Sequence, residues 1–263
     1  MPKFIVLSGK KQAGKTTVAN FIKIHLEKQY LKAKEREESI RCSDYNEKHG
    51  EFLIPSLVGK PTNLVGITSF AAPIKQFCLD VLGLDRRQIY GTEEQKNTHT
   101  NIKWDTMPDE IRLKYGRFLK ENEIFGTAQE IVGRWGFTSP KAPMSGYMTA
   151  REVMQIFGTD IMRTFFDYDI WAKAPFKKNW GSTEFIIIDD CRFPNEANNA
   201  LEHKALLIRL LRNPLQDTHA SEIAMDDYDA TKYDYVIHNA TLSLKELDAA
   251  IGLIINKRAG FTK

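Results

Sequence analysis

Residues 8–17 read Ser-Gly-Lys-Lys-Gln-Ala-Gly-Lys-Thr-Thr, which contains the pattern G-x-x-x-x-G-K-[ST]. The flanking residues constrain the local fold more than the glycines do. Phe4, Ile5, Val6 and Leu7 form a short apolar run that reads as a buried strand. After the loop, Val18, Phe21, Ile22 and Leu26 recur at helical spacing across Thr16 to Leu31. Strand, loop and helix in register make a cradle for an anion. Gly9 and Gly14 allow tight turns that point backbone N–H groups inward, and the helix N-terminus adds its positive dipole end. In this pattern Lys15 meets the terminal phosphates of a nucleoside triphosphate and the Thr16 hydroxyl is a magnesium ligand. Lys10, Gln12, Ala13 and Thr17 complete the cradle. ATP and magnesium are the expected occupants.

Further along, strands alternate with helices. Strand candidates begin at Phe4, Val65, Phe185, Ala205 and Tyr235. Helices are expected over Pro73–Leu82, Thr149–Phe166 and Ser243–Asn256, the last with Ser243 and Glu246 as a capping box. Such alternation predicts an α/β chain with a five-stranded parallel sheet and ligands at the carboxyl ends of the strands. The 263 residues are read as a single domain. Within it, 83–148 is a polar, Gly- and Pro-punctuated insertion with helix-like pieces at Asp109–Leu119 and Gln129–Trp135, of the kind that serves as a lid or substrate-binding segment. The connection Ser39–Leu64 carries no recognisable motif.

Composition sets limits on partners. A net charge of +3 does not suggest a surface that coats nucleic acid. Cys42, Cys78 and Cys191 are odd in number and far apart, which argues against a disulfide framework and suits a reducing compartment. Met1–Gly9 is too short for a signal peptide, and no apolar run approaches ~20 residues, so a membrane is not expected.

Three further groups of residues point to phosphate chemistry. Phe185-Ile-Ile-Ile-Asp-Asp-Cys-Arg192 is a buried strand ending in acids, where a carboxylate would hold magnesium. Spacing does not separate Asp189 from Asp190. Arg192 would neutralise charge developing during phosphoryl transfer, or else pair with Glu196. Arg151, Gln155, Thr159 and Arg163 recur every four residues. On an α-helix each such step drifts by only about 40°, giving one polar stripe. Gly158 leaves a gap beside the stripe that would admit a planar base. Val153, Met154, Phe157, Ile161 and Phe165 would face the core. Lys75 starts the helix after the second strand, and Arg212 follows the fourth, within reach of a triphosphate. A guanine-reading Asn-Lys-x-Asp motif is absent, which weighs against a nucleotide-driven switch.

With these residues in view, the chain resembles the phage-type deoxynucleoside monophosphate kinases, within the nucleoside-monophosphate-kinase group of P-loop proteins. The resemblance rests on Gly9–Thr17, Phe70–Lys75, Gly91–Asn97 with Trp104, Arg151–Thr159 with Arg163 and Trp171, Asp190–Glu196 and His219–Glu222. It implies a P-loop NTPase three-layer fold with a mobile monophosphate-binding region, and the reaction ATP + dNMP → ADP + dNDP. By the same likeness Lys75, Arg151, Gln155, Gly158, Thr159, Arg163 and Trp171 belong with the monophosphate. Lys15, Asp190, Arg192 and Arg163 belong with phosphoryl transfer, and Thr16 and Asp190 with magnesium. Partners would be small nucleotides, with homodimerisation left open, and the location the cytoplasm (that of the host, for a phage-encoded chain). Asp217–Leu247 also resembles the animal-type phosphomevalonate kinases, which makes a related small-molecule kinase the rival.

Overall fold

The computed structural model describes residues 1–33, 45–46, 51–52, 64–118, 141–212 and 224–258. Most of the 39–64 connection, the helix expected at Gln129–Trp135 and His219–Glu222 lie outside the described residues. The chain divides into two compact units, Met1–Ala72 with Trp171–Lys263, and Pro73–Ile170. The expected 83–148 insertion lies inside the second.

The first unit is built on a parallel five-stranded sheet. Its strands are β1 (Lys3–Ser8), β2 (Val65–Thr68), β3 (Phe185–Cys191), β4 (Leu206–Leu211) and β5 (Tyr235–His238), in the order β5-β4-β1-β3-β2. Each strand falls where the apolar runs put it, within a residue or two. Because successive strand residues face opposite sides, β1 feeds two cores. Ile5 and Leu7 join Ile187, Ile208 and residues of the helices Lys15–Ala33 and Leu244–Arg258 on one face. Phe4 and Val6 join Ile186, Ile188, Leu207 and Ala197 of the helix Pro194–Glu202 on the other. Both faces are covered, hence the three layers. Strand β1 is central, so the loop that follows it opens between β3 and β4.

The second unit is mostly helical. His99–Lys103 pairs antiparallel with Tyr147–Thr149. Short helices at Arg86–Tyr90 and Glu93–Lys96 are closed by capping boxes from Asp85 with Gln88 and Thr92 with Gln95. These short helices carry too few residues to show a period and were not expected. Thr149 and Glu152 form another box, which starts the helix Ala150–Gln155. The expected single α-helix over Thr149–Phe166 needs correction, because from Ile156 to Phe166 it winds as a π-helix. Phe77 and Phe157 stack at 4.2 Å, and Asp160 is buried with bonds from Lys114 and the Tyr115 hydroxyl (2.7 Å). Burial and that carboxylate push the Tyr115 phenol up. Phe165, expected in the core, is 73% exposed at the end of this π-wound segment, as is Phe166 at 70%. Among the described residues no helix is long and apolar enough to cross a membrane.

Candidate active site

Two residues of the loop adopt left-handed backbone, Gln12 at φ 62° and Gly14 at φ 87°. Gly9 is required for space, since a Cβ there would sit 2.9 Å from Leu210 O of β4. The Ala13 N–H donates to Lys10 O (3.1 Å) and the Val18 N–H to Gly14 O (3.0 Å), closing the loop and opening the helix. Lys15 is 9% exposed, and its Nζ donates to Gly9 O at 2.7 Å and Lys10 O at 2.8 Å. A buried ammonium held on two backbone carbonyls of the loop fits a polyphosphate, which offers more acceptors of opposite charge. Thr17 is half-buried and Lys10 is held at 2.8 Å by Asp226.

Strand β3 brings the acids. Its register with β1 runs Val6↔Ile188 and then Ser8↔Cys191, so two residues of β3 oppose Leu7. A register shift of this kind re-aims side chains. Asp189 turns to the loop, and Thr16 Oγ1 donates to its Oδ2 at 3.1 Å. Asp190 turns to β2, accepting from the Phe70 N–H at 2.6 Å and the Ala71 N–H at 3.3 Å. Burial pushes the Asp190 carboxyl above its ordinary value, with the Asp189 charge adding to the rise. Of the two acids, Asp189 thus stands beside the Thr16 hydroxyl, while Asp190 is bonded to the backbone that leads into the helix Ala72–Asp80. Among the described residues no cluster of three or more His, Cys, Asp or Glu can hold a metal. A hydroxyl beside one carboxylate nevertheless fits magnesium, which uses one or two protein ligands plus substrate phosphates and water.

The Arg192 N–H and the Phe193 N–H both donate to Glu196 Oε2, at 2.8 and 3.1 Å. Glu196 thus serves as a helix cap, and the Arg192 side chain is half-buried just past β3. Arg209, which lies within β4, is buried and donates to Ser8 Oγ at 2.8 Å. Arg212 is exposed one residue beyond β4, and Trp171 is 9% exposed in the first unit.

In the second unit one continuous helical run carries Arg151, Gln155, Thr159 and Arg163. The first three are exposed and Arg163 is half-buried. Gly158 is buried within the same run. Arg151 pairs with Glu93, whose carboxylate also takes Lys96 Nζ at 3.4 Å. Glu93 sits in the Gly91–Asn97 segment but carried no sequence signal as a partner for Arg151. Lys75 Nζ lies 5.1 Å over the Tyr90 ring. The structure thus groups the loop with Asp189 in one unit, and the stripe with Lys75 and Glu93 in the other. Asn239, bonded to the loop through Ala13 O, also went unnoticed. Its one available signal was a polar residue directly after the last strand.

The family model for deoxynucleotide monophosphate kinase matches residues 71–251, well over half of the chain. That match begins after the phosphate loop, so the two observations are independent. A protein of Acanthamoeba polyphaga mimivirus, assigned the name deoxynucleotide monophosphate kinase, is 27% identical over 187 residues, covering 65% of this chain and 73% of the relative.

Proposed function

The chain belongs to the deoxynucleotide monophosphate kinase family, and from that premise we propose that it transfers the terminal phosphoryl group of ATP to a deoxynucleoside monophosphate. An acceptor phosphate oxygen attacks the γ-phosphorus, the bond to the β–γ bridging oxygen breaks, and ADP leaves. The observation that carries this reading is the buried Lys15 ammonium inside a closed phosphate loop, with the Thr16 hydroxyl on Asp189 beside it. In such transfers the protein positions the groups and neutralises charge, and contributes little covalent chemistry.

In this proposal the loop N–H groups and Lys15 bind the β- and γ-phosphates of ATP. Thr16 and Asp189 would hold magnesium, which would supply charge neutralisation on the phosphate oxygens. Arg192 lies just past β3, at the carboxyl end of the sheet, and stabilises charge on the transferred group. Arg212 contributes from the end of β4. Arg151 and Arg163, with Lys75, Gln155 and Thr159, bind the acceptor. Arginine suits that role because its planar fork meets two phosphate oxygens at once. Glu93 keeps the Arg151 guanidinium in one orientation. Asp190 braces the turn after β2 and takes no part in the transfer. The phosphomevalonate and switch readings gain no support from the family match.

A coupled assay of ADP release tests the proposal, run with the four dNMPs, their ribonucleotide counterparts and mevalonate phosphate. ADP release should accelerate with at least one dNMP and depend on magnesium. Slow release that no monophosphate accelerates would overturn the kinase reading, and acceleration by mevalonate phosphate alone would move it to the rival substrate.

A further inference from the structure

We infer that Asn239 is a positioning residue that aims the Gly14 N–H at the bound phosphate; the inference rests on the reading of the loop as a nucleotide site. Asn239 directly follows β5 and is 6% exposed, with its backbone N–H on Leu211 O of β4 at 2.9 Å. It is therefore fixed to the sheet at the end where ligands of parallel α/β folds bind. Its side-chain Nδ2 donates to Ala13 O at 2.9 Å. A carboxamide turned the other way would set its oxygen against that carbonyl, so the donor orientation is the only one that makes a bond here.

The consequence follows from the peptide bond. The C=O of Ala13 and the N–H of Gly14 belong to one planar trans unit and point in opposite directions. Holding the carbonyl toward β5 turns the Gly14 N–H away from β5 and toward the loop interior. The peptide is free to rotate in the absence of such a hold, because Gly14 at φ 87° has no Cβ to restrict it. Left-handed backbone at the non-glycine Gln12, two residues before Gly14, persists only where the surroundings over-determine it. The fit is close, since a Cβ on Gly14 would lie 3.4 Å from Nδ2.

A second feature separates this role from ordinary core packing. Asn239 Oδ1 is buried and has no hydrogen-bond partner among the described residues. A buried acceptor without a partner costs stability, so packing alone would favour an apolar residue of the same shape. The amide makes sense for its donor.

Asn239→Leu removes the donor and the unpaired acceptor while keeping the shape, and it is tested in the full chain. Its melting temperature should stay near that of the natural chain. Its affinity for ADP and the KM for ATP should worsen about tenfold, the value of one lost hydrogen bond to a charged group. The KM for the dNMP should be unchanged, because no acceptor-binding residue is touched. In 15N-labelled protein the Gly14 amide proton should move downfield when magnesium–ADP is added, and that movement should be lost in Asn239→Leu. Asn239→Ser keeps a hydroxyl donor and should recover part of the affinity. Should Asn239→Leu fail to fold, the smaller Asn239→Ala takes its place with the same expected losses. Natural chain that binds ADP, alongside variants that bind it equally well with the same Gly14 shift, would overturn the inference alone. Natural chain that does not bind ADP would overturn the nucleotide reading, and this inference with it.

Discussion

Lys15 is the residue whose chemistry is most constrained. Its ammonium is buried inside the loop and donates to the backbone carbonyls of Gly9 and Lys10. Lys15→Ala should leave the melting temperature almost unchanged. It should lower kcat/KM by about 3 kcal/mol of transition-state stabilisation, by analogy with single preorganised electrostatic contacts. Steady-state kinetics beside a thermal melt check both halves of that expectation. The neighbouring acids should behave oppositely to one another. Asp189→Asn should raise the magnesium concentration needed for half-maximal rate about tenfold, with an unaltered fold. Asp190→Ala strips two backbone donors of their acceptor and should destabilise the fold by about 1–3 kcal/mol. The sign with pH follows from the raised carboxyl of Asp190. The folded chain holds that proton to a higher pH than the unfolded one, which titrates near 3.8. Stability contributed by Asp190 therefore falls as pH rises from about 3.8 through the raised value. Denaturant melts of the natural chain against Asp190→Asn across that window should show the natural chain losing ground.

Among the elements, the terminal helix Leu244–Arg258 is the most legible, because its start is written into four residues. The Ser243 N–H and hydroxyl both donate to Glu246 Oε2, at 2.8 and 2.7 Å, and the Glu246 N–H donates back to Ser243 Oγ at 3.3 Å. Those bonds hold the Glu246 carboxyl below its ordinary value of 4.5. The stability they contribute is present above 4.5 and is lost as pH falls through the lowered value. Glu246→Ala should therefore melt below the natural chain at neutral pH, and the gap should close in acid. The helical run from Ala150 to Phe166 shows the reverse case. Its i, i+4 stripe fits an α-helix on paper, and Arg151, Gln155 and Thr159 are indeed exposed on it. The π winding from Ile156 onward is not visible in that spacing, because four residues nearly complete a turn in either helix. What differs is the end of the run, where Phe165 lies outside the core.

For the molecule as a whole, nucleotide binding should appear as added stability. A ligand that binds only the folded chain raises its unfolding free energy by ~2.7 kcal/mol at a hundred times its Kd. Magnesium–ATP should therefore raise the melting temperature, EDTA should cancel most of the rise, and Lys15→Ala should show little of it. A rise that survives both EDTA and Lys15→Ala would mean that ATP binds elsewhere. The sequence by itself determined the five strands, the loop and its helix, and the stripe residues, because these rest on local periods and on a contiguous motif. Tertiary structure alone decided which acid faces the loop, since a register shift between β1 and β3 turns Asp189 inward and Asp190 toward β2. It alone also brought Asn239 to Ala13 across 226 positions of chain. Both depend on how strands lie beside one another, a relation between distant residues that no local pattern records.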